Sequence, residues 1–179
     1  IRAIGVSTHS VEVVREATDV EGIDVVFPII NKIGMGILHG TREDMEQAIE
    51  YAHSRGIGLF AMKALAGGNL LTDRENSFSY VRSLPGISAV AVGMVHMDEV
   101  EMNLLAFNDE VVPEELSKKT TKTKKLIVQS FCIGCGACIA TCPNGAMTMA
   151  QGKAKNDPGK CILCGYCAPG CPQFAIRLV

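Results

Sequence analysis

The sequence predicts a two-zone α/β chain. Four β-α units follow one another over residues 1–107, and a small α+β zone covers residues 125–179, with a charged linker at 108–124. Three observations carry that reading. Short apolar stretches alternate with amphipathic helical stretches through the first zone, the pattern of parallel strands with helices outside. The first 131 residues contain no cysteine, and all eight Cys fall between 132 and 171. Those eight form two runs of one spacing, C-x2-C-x2-C-x3-C, each followed by Pro and starting 29 positions apart, which makes the segment an internal repeat.

Taken in order, residues 4–7 read as a strand, and Ser10 can cap a helix over 11–17. Residues 24–30 are the next strand. Thr41 caps a helix over 42–54, with Asp44 three residues after the cap and Gly56 as the stop. A third strand spans 57–63 and is followed by the Gly-containing loop 64–71 and a short helix near 78–84. The fourth strand is 87–93 and the last helix 97–107. In the second zone, 125–131 leads into the first cysteine run. Residues 146–150 and 153–156 flank Gln151-Gly152 as a hairpin, and 175–179 closes the zone. From these units alone, the first zone fits an open four-stranded α/β sheet.

Composition excludes several classes. At 179 residues, 47% hydrophobic and 20% charged, the chain is too apolar to be disordered. A net charge of −2 gives it no whole-protein attraction to nucleic acid or anionic membrane. The apolar runs 25–30 and 88–95 are strand-length and broken by Pro or Gly, well short of the roughly 18–20 residues a membrane span requires. The opening Ile1-Arg2-Ala3-Ile4-Gly5 is not a signal peptide and reads as mid-strand, so a fragment of a longer polypeptide is expected.

The cysteine repeat carries the chemistry. A disulfide framework fits poorly, because the chain is mostly apolar and shows no secretory signal, which points to a reducing, cytoplasmic setting. Zinc takes two pairs of ligands and has no use for a third Cys at i+6 or for the terminal Cys-Pro. Buried inert thiols have no reason to repeat. Two [4Fe-4S] clusters account for the pattern. Three thiolates at i, i+3 and i+6 on a curled loop reach one cubane, and the fourth lies beyond a helical turn ended by Pro, directed at the other cluster. One cluster is therefore expected on Cys132, Cys135, Cys138 and Cys171, the second on Cys161, Cys164, Cys167 and Cys142. Gly134, Gly136, Gly165 and Gly170 allow the loops to curl with positive φ and bring amide N–H groups near sulfur. Ile133, Ile139, Ile162 and Leu163 are expected to exclude water, and Phe131 and Tyr166 to pack against the clusters. With all eight ligand positions present, residues 125–179 resemble a bacterial-type ferredoxin domain with two [4Fe-4S] clusters. That resemblance implies low-potential, one-electron transfer.

In the first zone, Gly5-Val6-Ser7-Thr8-His9, Val25-Val26-Phe27-Pro28-Ile29-Ile30-Asn31, Ala61-Met62-Lys63-Ala64-Leu65-Ala66-Gly67-Gly68 and Glu99-Val100-Glu101-Met102-Asn103-Leu104 come in a telling order. The order and spacing resemble strands five to eight of the aldo-keto reductases, in particular the bacterial branch with an iron–sulfur tail. The resemblance implies the C-terminal half of a (β/α)8 TIM barrel of about 250 residues when complete, with its site at the C-terminal ends of the strands. It also implies NADP(H) binding, with Ser7 at the nicotinamide amide, Leu65 and Gly67 near the pyrophosphate, and Glu99 and Asn103 near the adenosine end. Val26 and Met102 stand where that family often has Gln and Glu, and residues 94–97 offer no Arg or Lys, only His96. The family's Asp-Tyr-Lys-His catalytic group belongs to the first half of the barrel, so no catalytic residue is assigned. Lys63 reads as a snorkelling or phosphate-neighbouring lysine, His39 and His53 as surface positions, and His9 fits ligand contact and helix-start packing equally. Half a barrel also leaves two open sheet edges.

Residues 108–124 run acidic then basic, Asp109, Glu110, Glu114 and Glu115 before Lys118, Lys119, Lys122 and Lys124, and are expected to be a solvated connector. Nicotinamide chemistry moves two electrons as a hydride whereas each cubane takes one, so a flavoprotein partner or separate electron flows are required. The expected function is an iron–sulfur oxidoreductase coupling a barrel-bound small-molecule substrate or cofactor to a redox partner protein. The alternative is a non-catalytic electron carrier whose barrel is a binding or docking module.

Overall fold

The structure is a computed structural model that describes residues 1–94, 96–120 and 125–178. Contacts divide it into two compact units, Ile1–Ala66 with Leu70–Thr121, and Gly67–Asn69 with Lys122–Val179.

In the first unit the order is β1 (Gly5–Thr8), α1 (Val11–Asp19), β2 (Val25–Pro28), α2 (Arg42–Ser54), β3 (Gly58–Met62), α3 (Arg74–Ser83), β4 (Ile87–Ala91), α4 (Met97–Phe107) and α5 (Glu114–Thr120). The strands lie in chain order, all parallel, with Gly5 opposite Val25 and Val25 opposite Gly58. Parallel crossovers are right-handed almost without exception, so strands in chain order put their helices on one face. The burial agrees. Val26, Leu59 and Ala61 are buried together with Val14, Met45, Ile49, Phe78, Val81 and Met102 from the helices. On the other face Ser7 is exposed, and the half-buried rings of Phe27 and Phe60 stack at 4.0 Å.

Local chemistry sets the helix starts. The Ser10 hydroxyl accepts the Val13 N–H at 3.4 Å. At α2 the Thr41 hydroxyl accepts the Asp44 N–H at 3.2 Å while the Asp44 carboxylate accepts the Thr41 N–H at 2.8 Å, a reciprocal capping box. The Thr41 N–H, and after it the Thr41 O–H that donates to the same carboxylate at 2.9 Å, hold the Asp44 carboxyl below its usual range.

Four expectations are corrected. The opening residues are not strand, since β1 begins at Gly5. Helix α3 begins at Arg74, four residues before the expected start, because a 3-10 turn over Leu71–Asp73 runs directly into it. The linker is not simply a solvated coil. It contains α5, whose Leu116 is buried, and residues 121–124 lie outside the described residues. Gly170 does not adopt a positive φ; a Cβ there would stand 2.9 Å from Thr141 Cγ2, so close approach is what requires glycine.

The second unit holds β5 (Leu126–Val128), α6 (Ala137–Ala140), β6 (Met147–Ala150), β7 (Lys153–Asn156) and β8 (Ile176–Leu178). Shifting the first repeat by 29 residues carries β5 onto β7 and β6 onto β8. Yet β5 pairs antiparallel with β8, and β6 with β7. Each repeat thus pairs its strands with the other repeat. Gln151 and Gly152, both left-handed (φ 51° and 73°), make the two-residue turn that matches strand twist.

Replacing Thr41 by Ala removes one side of the capping box and is expected to cost about 1 kcal/mol of stability in urea unfolding, with an unchanged slope.

Candidate metal centre

Each cysteine run is a loop wrapped on backbone donors. In the first, Gly134 has φ 69°, and a Cβ there would come within 2.1 Å of the Gly152 carbonyl oxygen, so the ligand loop lies directly on the hairpin turn and only glycine fits. The Ala154 N–H donates to Cys132 Sγ at 3.5 Å, and Lys153 Nζ donates to the Ser130 carbonyl at 2.6 Å. Helix α6 carries Cys138, which is buried, and beyond it Cys142 Sγ accepts the Ala146 N–H at 3.3 Å. In the second run the Asp157 carbonyl accepts the Lys160 and Cys161 N–H groups and starts the loop, and Cys171 Sγ accepts the Ala175 N–H at 3.3 Å.

All eight cysteines are free thiols. They line two separate hollows. The first is small and is lined by Cys132, Cys135, Cys138 and Cys171 with Ile133, Gly136, Ala154, Gln173, Ala175 and Ile176. The second, equally small, is lined by Cys142, Cys161, Cys164 and Cys167 with Leu126, Asn144, Ala146, Met147, Asn156 and Ile162. Each hollow takes three cysteines from one run and the last cysteine of the other. Among the described residues no three His, Cys, Asp or Glu groups converge tightly enough for a single metal ion. The thiols surround a space, not a point.

Electrostatics separate the same two sets. Burial pushes the Cys138 thiol up, and the nearby Cys132, Cys171 and Cys135 add to the shift. Burial, then Cys164, Cys142 and Cys161, push Cys167 up to about 11. Cys132 is instead drawn down, first by the Ala154 N–H, then by that of Gly134 and by the Lys153 charge. These environments are not equally enclosed. Cys135 is exposed, and Ile133 beside it is 62% exposed, so Ile133 does not exclude water as its apolar character suggests; Ile162, at the second hollow, is buried.

The residues expected at a nucleotide are spread out. Ser7 lies on β1 in register with Phe27 and lines an open cleft of about 330 Å³ with Gly5, Val25, Phe27 and Phe60. Leu65 is buried after β3, and Gly67 (φ 66°) belongs by its contacts to the second unit. Glu99 sits in the first turn of α4, its carboxylate accepting the His96 N–H at 3.4 Å. Asn103, one turn on, is 9% exposed, and its Oδ1 has no hydrogen-bond partner. Sequence reasoning missed Arg74. It is 4% exposed, its Nε is likewise unpaired, and its pKa is lowered by burial against the opposing pull of Glu75 and Glu99. A charged residue at a helix start gives no sign in sequence that it will be buried. His9 is buried too, its pKa lowered by that burial and then by the Lys63 charge.

Residues 1–83 match the Aldo/keto reductase family, and residues 131–175 match the 4Fe-4S dicluster domain. The dicluster match contains all eight cysteines. The aldo/keto reductase match ends with α3, so it takes in Ser7, Leu65 and Gly67 and stops before Glu99 and Asn103. That family implies a TIM barrel, and the parallel α/β sheet agrees with it at the level of fold class. No curated protein matches the chain. Among the described residues no helix is long and apolar enough to cross a membrane.

In the metal-free chain, exposed Cys135 should be alkylated well before Cys167, which is buried and whose raised pKa withholds the reactive thiolate. Over two pH units below its pKa, Cys167 labelling should rise about a hundredfold. Pulsed alkylation read by mass spectrometry checks this, and equal rates for the two would contradict the burial.

Proposed function

We propose that the chain is an iron–sulfur oxidoreductase holding two [4Fe-4S] clusters, one on Cys132, Cys135, Cys138 and Cys171 and the other on Cys142, Cys161, Cys164 and Cys167. The observation that carries this is the crossing of the cysteine runs, three thiols from one and the last from the other in each hollow. The donor set fits, being four thiols in each hollow and no competing ligand type. When bound, such a cluster takes up and gives back one electron at a time.

The chain's own groups do the rest. Backbone N–H groups of Ala154, Ala175 and Ala146 donate to Cys132, Cys171 and Cys142, spreading negative charge off sulfur. Buried Met147, Ala154, Ala175 and Ile176 keep water from the inner sides of the thiols.

For the remainder we take residues 125–179 as a ferredoxin-type domain, 108–124 as the linker, and 1–107 as the second half of a (β/α)8 barrel. In that reading Ser7, Leu65, Gly67, Glu99 and Asn103 contact NADP(H), and the unpaired Asn103 Oδ1 and Arg74 Nε supply polar atoms in need of a partner. The barrel takes a small-molecule substrate. The iron–sulfur domain exchanges electrons with a redox partner protein or flavoprotein, as the one-electron step requires, and the free thiols suit the reducing cytoplasm.

The ligand sets are tested without assigning any signal beforehand. Cys142→Ser and Cys161→Ser should each remove the same cluster and leave one identical EPR signal on dithionite reduction, whereas Cys135→Ser should leave the other. If Cys142→Ser instead matches Cys135→Ser, the clusters are held run by run and the crossed assignment is wrong.

A further inference from the structure

The β6–β7 hairpin grips the first ligand loop at three points. The Gly152 carbonyl occupies the space where a Gly134 side chain would be, the Ala154 N–H reaches Cys132 Sγ, and Lys153 Nζ is bonded to the Ser130 carbonyl two residues before Cys132. Lys153 lies between the other two contacts in sequence. Its side chain crosses from β7 to the chain entering the cysteine run, and this fixes a positive charge beside Cys132 where an unattached exposed lysine would sweep through solvent.

We propose that Lys153 is a positioning residue that raises the reduction potential of the cluster held by Cys132, Cys135, Cys138 and Cys171. The inference rests on that ligand set. One electron entering the site from an external donor lowers its charge by one and breaks no bond. A cation held nearby therefore stabilises the reduced form over the oxidised one. The tether adds to this by holding β7 against the loop, which keeps the Ala154 N–H on sulfur, and such donors are a recognised lever on cluster potential. Because Lys153 is exposed, salt screens its charge but leaves the backbone hydrogen bond in place.

The test is an EPR-monitored redox titration of the full chain at low and high salt, with the cluster in question identified as the signal retained in Cys161→Ser. Lys153→Arg keeps charge and donor and should keep the midpoint. Lys153→Gln keeps a donor without charge, and Lys153→Glu reverses the charge. Their midpoints should move progressively negative, by amounts that shrink at high salt, while the other cluster's midpoint stays in place. Equal shifts of both clusters, no shift, or loss of iron from the Gln variant would overturn the proposal, the last by making the tether structural. Absence of any cluster signal in the unsubstituted chain would be a failure of the ligand assignment instead.

Discussion

The middle of the second unit is occupied by sulfur. Cys138, Cys167 and Cys171 are core residues, buried in one cluster with Met147, Ala154, Ala175 and Ile176. A segment of this size buries little apolar surface and is marginal on packing alone. Burial also makes the Cys138 and Cys167 thiols resist ionisation where they are. Under the proposed ligand assignment iron would reverse both costs, since thiolates bound to metal are charge-compensated and each cluster would cross-link distant parts of the chain. Folding and metal binding are in that case one equilibrium. The crossing makes the linkage tighter, because neither cysteine run completes its own site, and the strands follow the same rule, with β5 on β8 and β6 on β7.

Legibility in the sequence followed the range of the interactions. The division of the eight cysteines into two repeated runs could be read from spacing, since three cysteines of each run lie within seven residues and the Pro after the fourth marks where the chain leaves the loop. The Thr41–Asp44 capping box and the Gln151-Gly152 turn were likewise readable, each being closed by groups a few residues apart. What was not readable depended on distant partners. Nothing local in Arg74 announces a buried guanidinium, and nothing in Lys153 announces a bond to Ser130, 23 residues earlier. Ile133 was misread for a related reason. Its apolar character argues for burial, but between Cys132 and Cys135 it helps to line the first hollow while staying 62% exposed.

The first unit is organised differently. Its sheet is stabilised on one face by helices and leaves Ser7, Phe27 and Phe60 on the other, and among the described residues two of its buried polar atoms without a hydrogen-bond partner, Arg74 Nε and Asn103 Oδ1, belong to α3 and α4. Buried polar groups without partners are costly unless something else satisfies them. In the proposed reading a bound nucleotide would supply such partners. In that reading the two units differ in electron count, a pair for a hydride and one for a cluster, so a flavoprotein partner or separate electron flows would be required.

Metal and sulfide analysis of the anaerobically purified full chain tests the central claim most directly. Two clusters of four irons predict about eight iron and about eight acid-labile sulfide per chain, with broad visible absorbance that bleaches on reduction. A colourless protein containing zinc, or one that takes up no iron and sulfide on reconstitution, would contradict it.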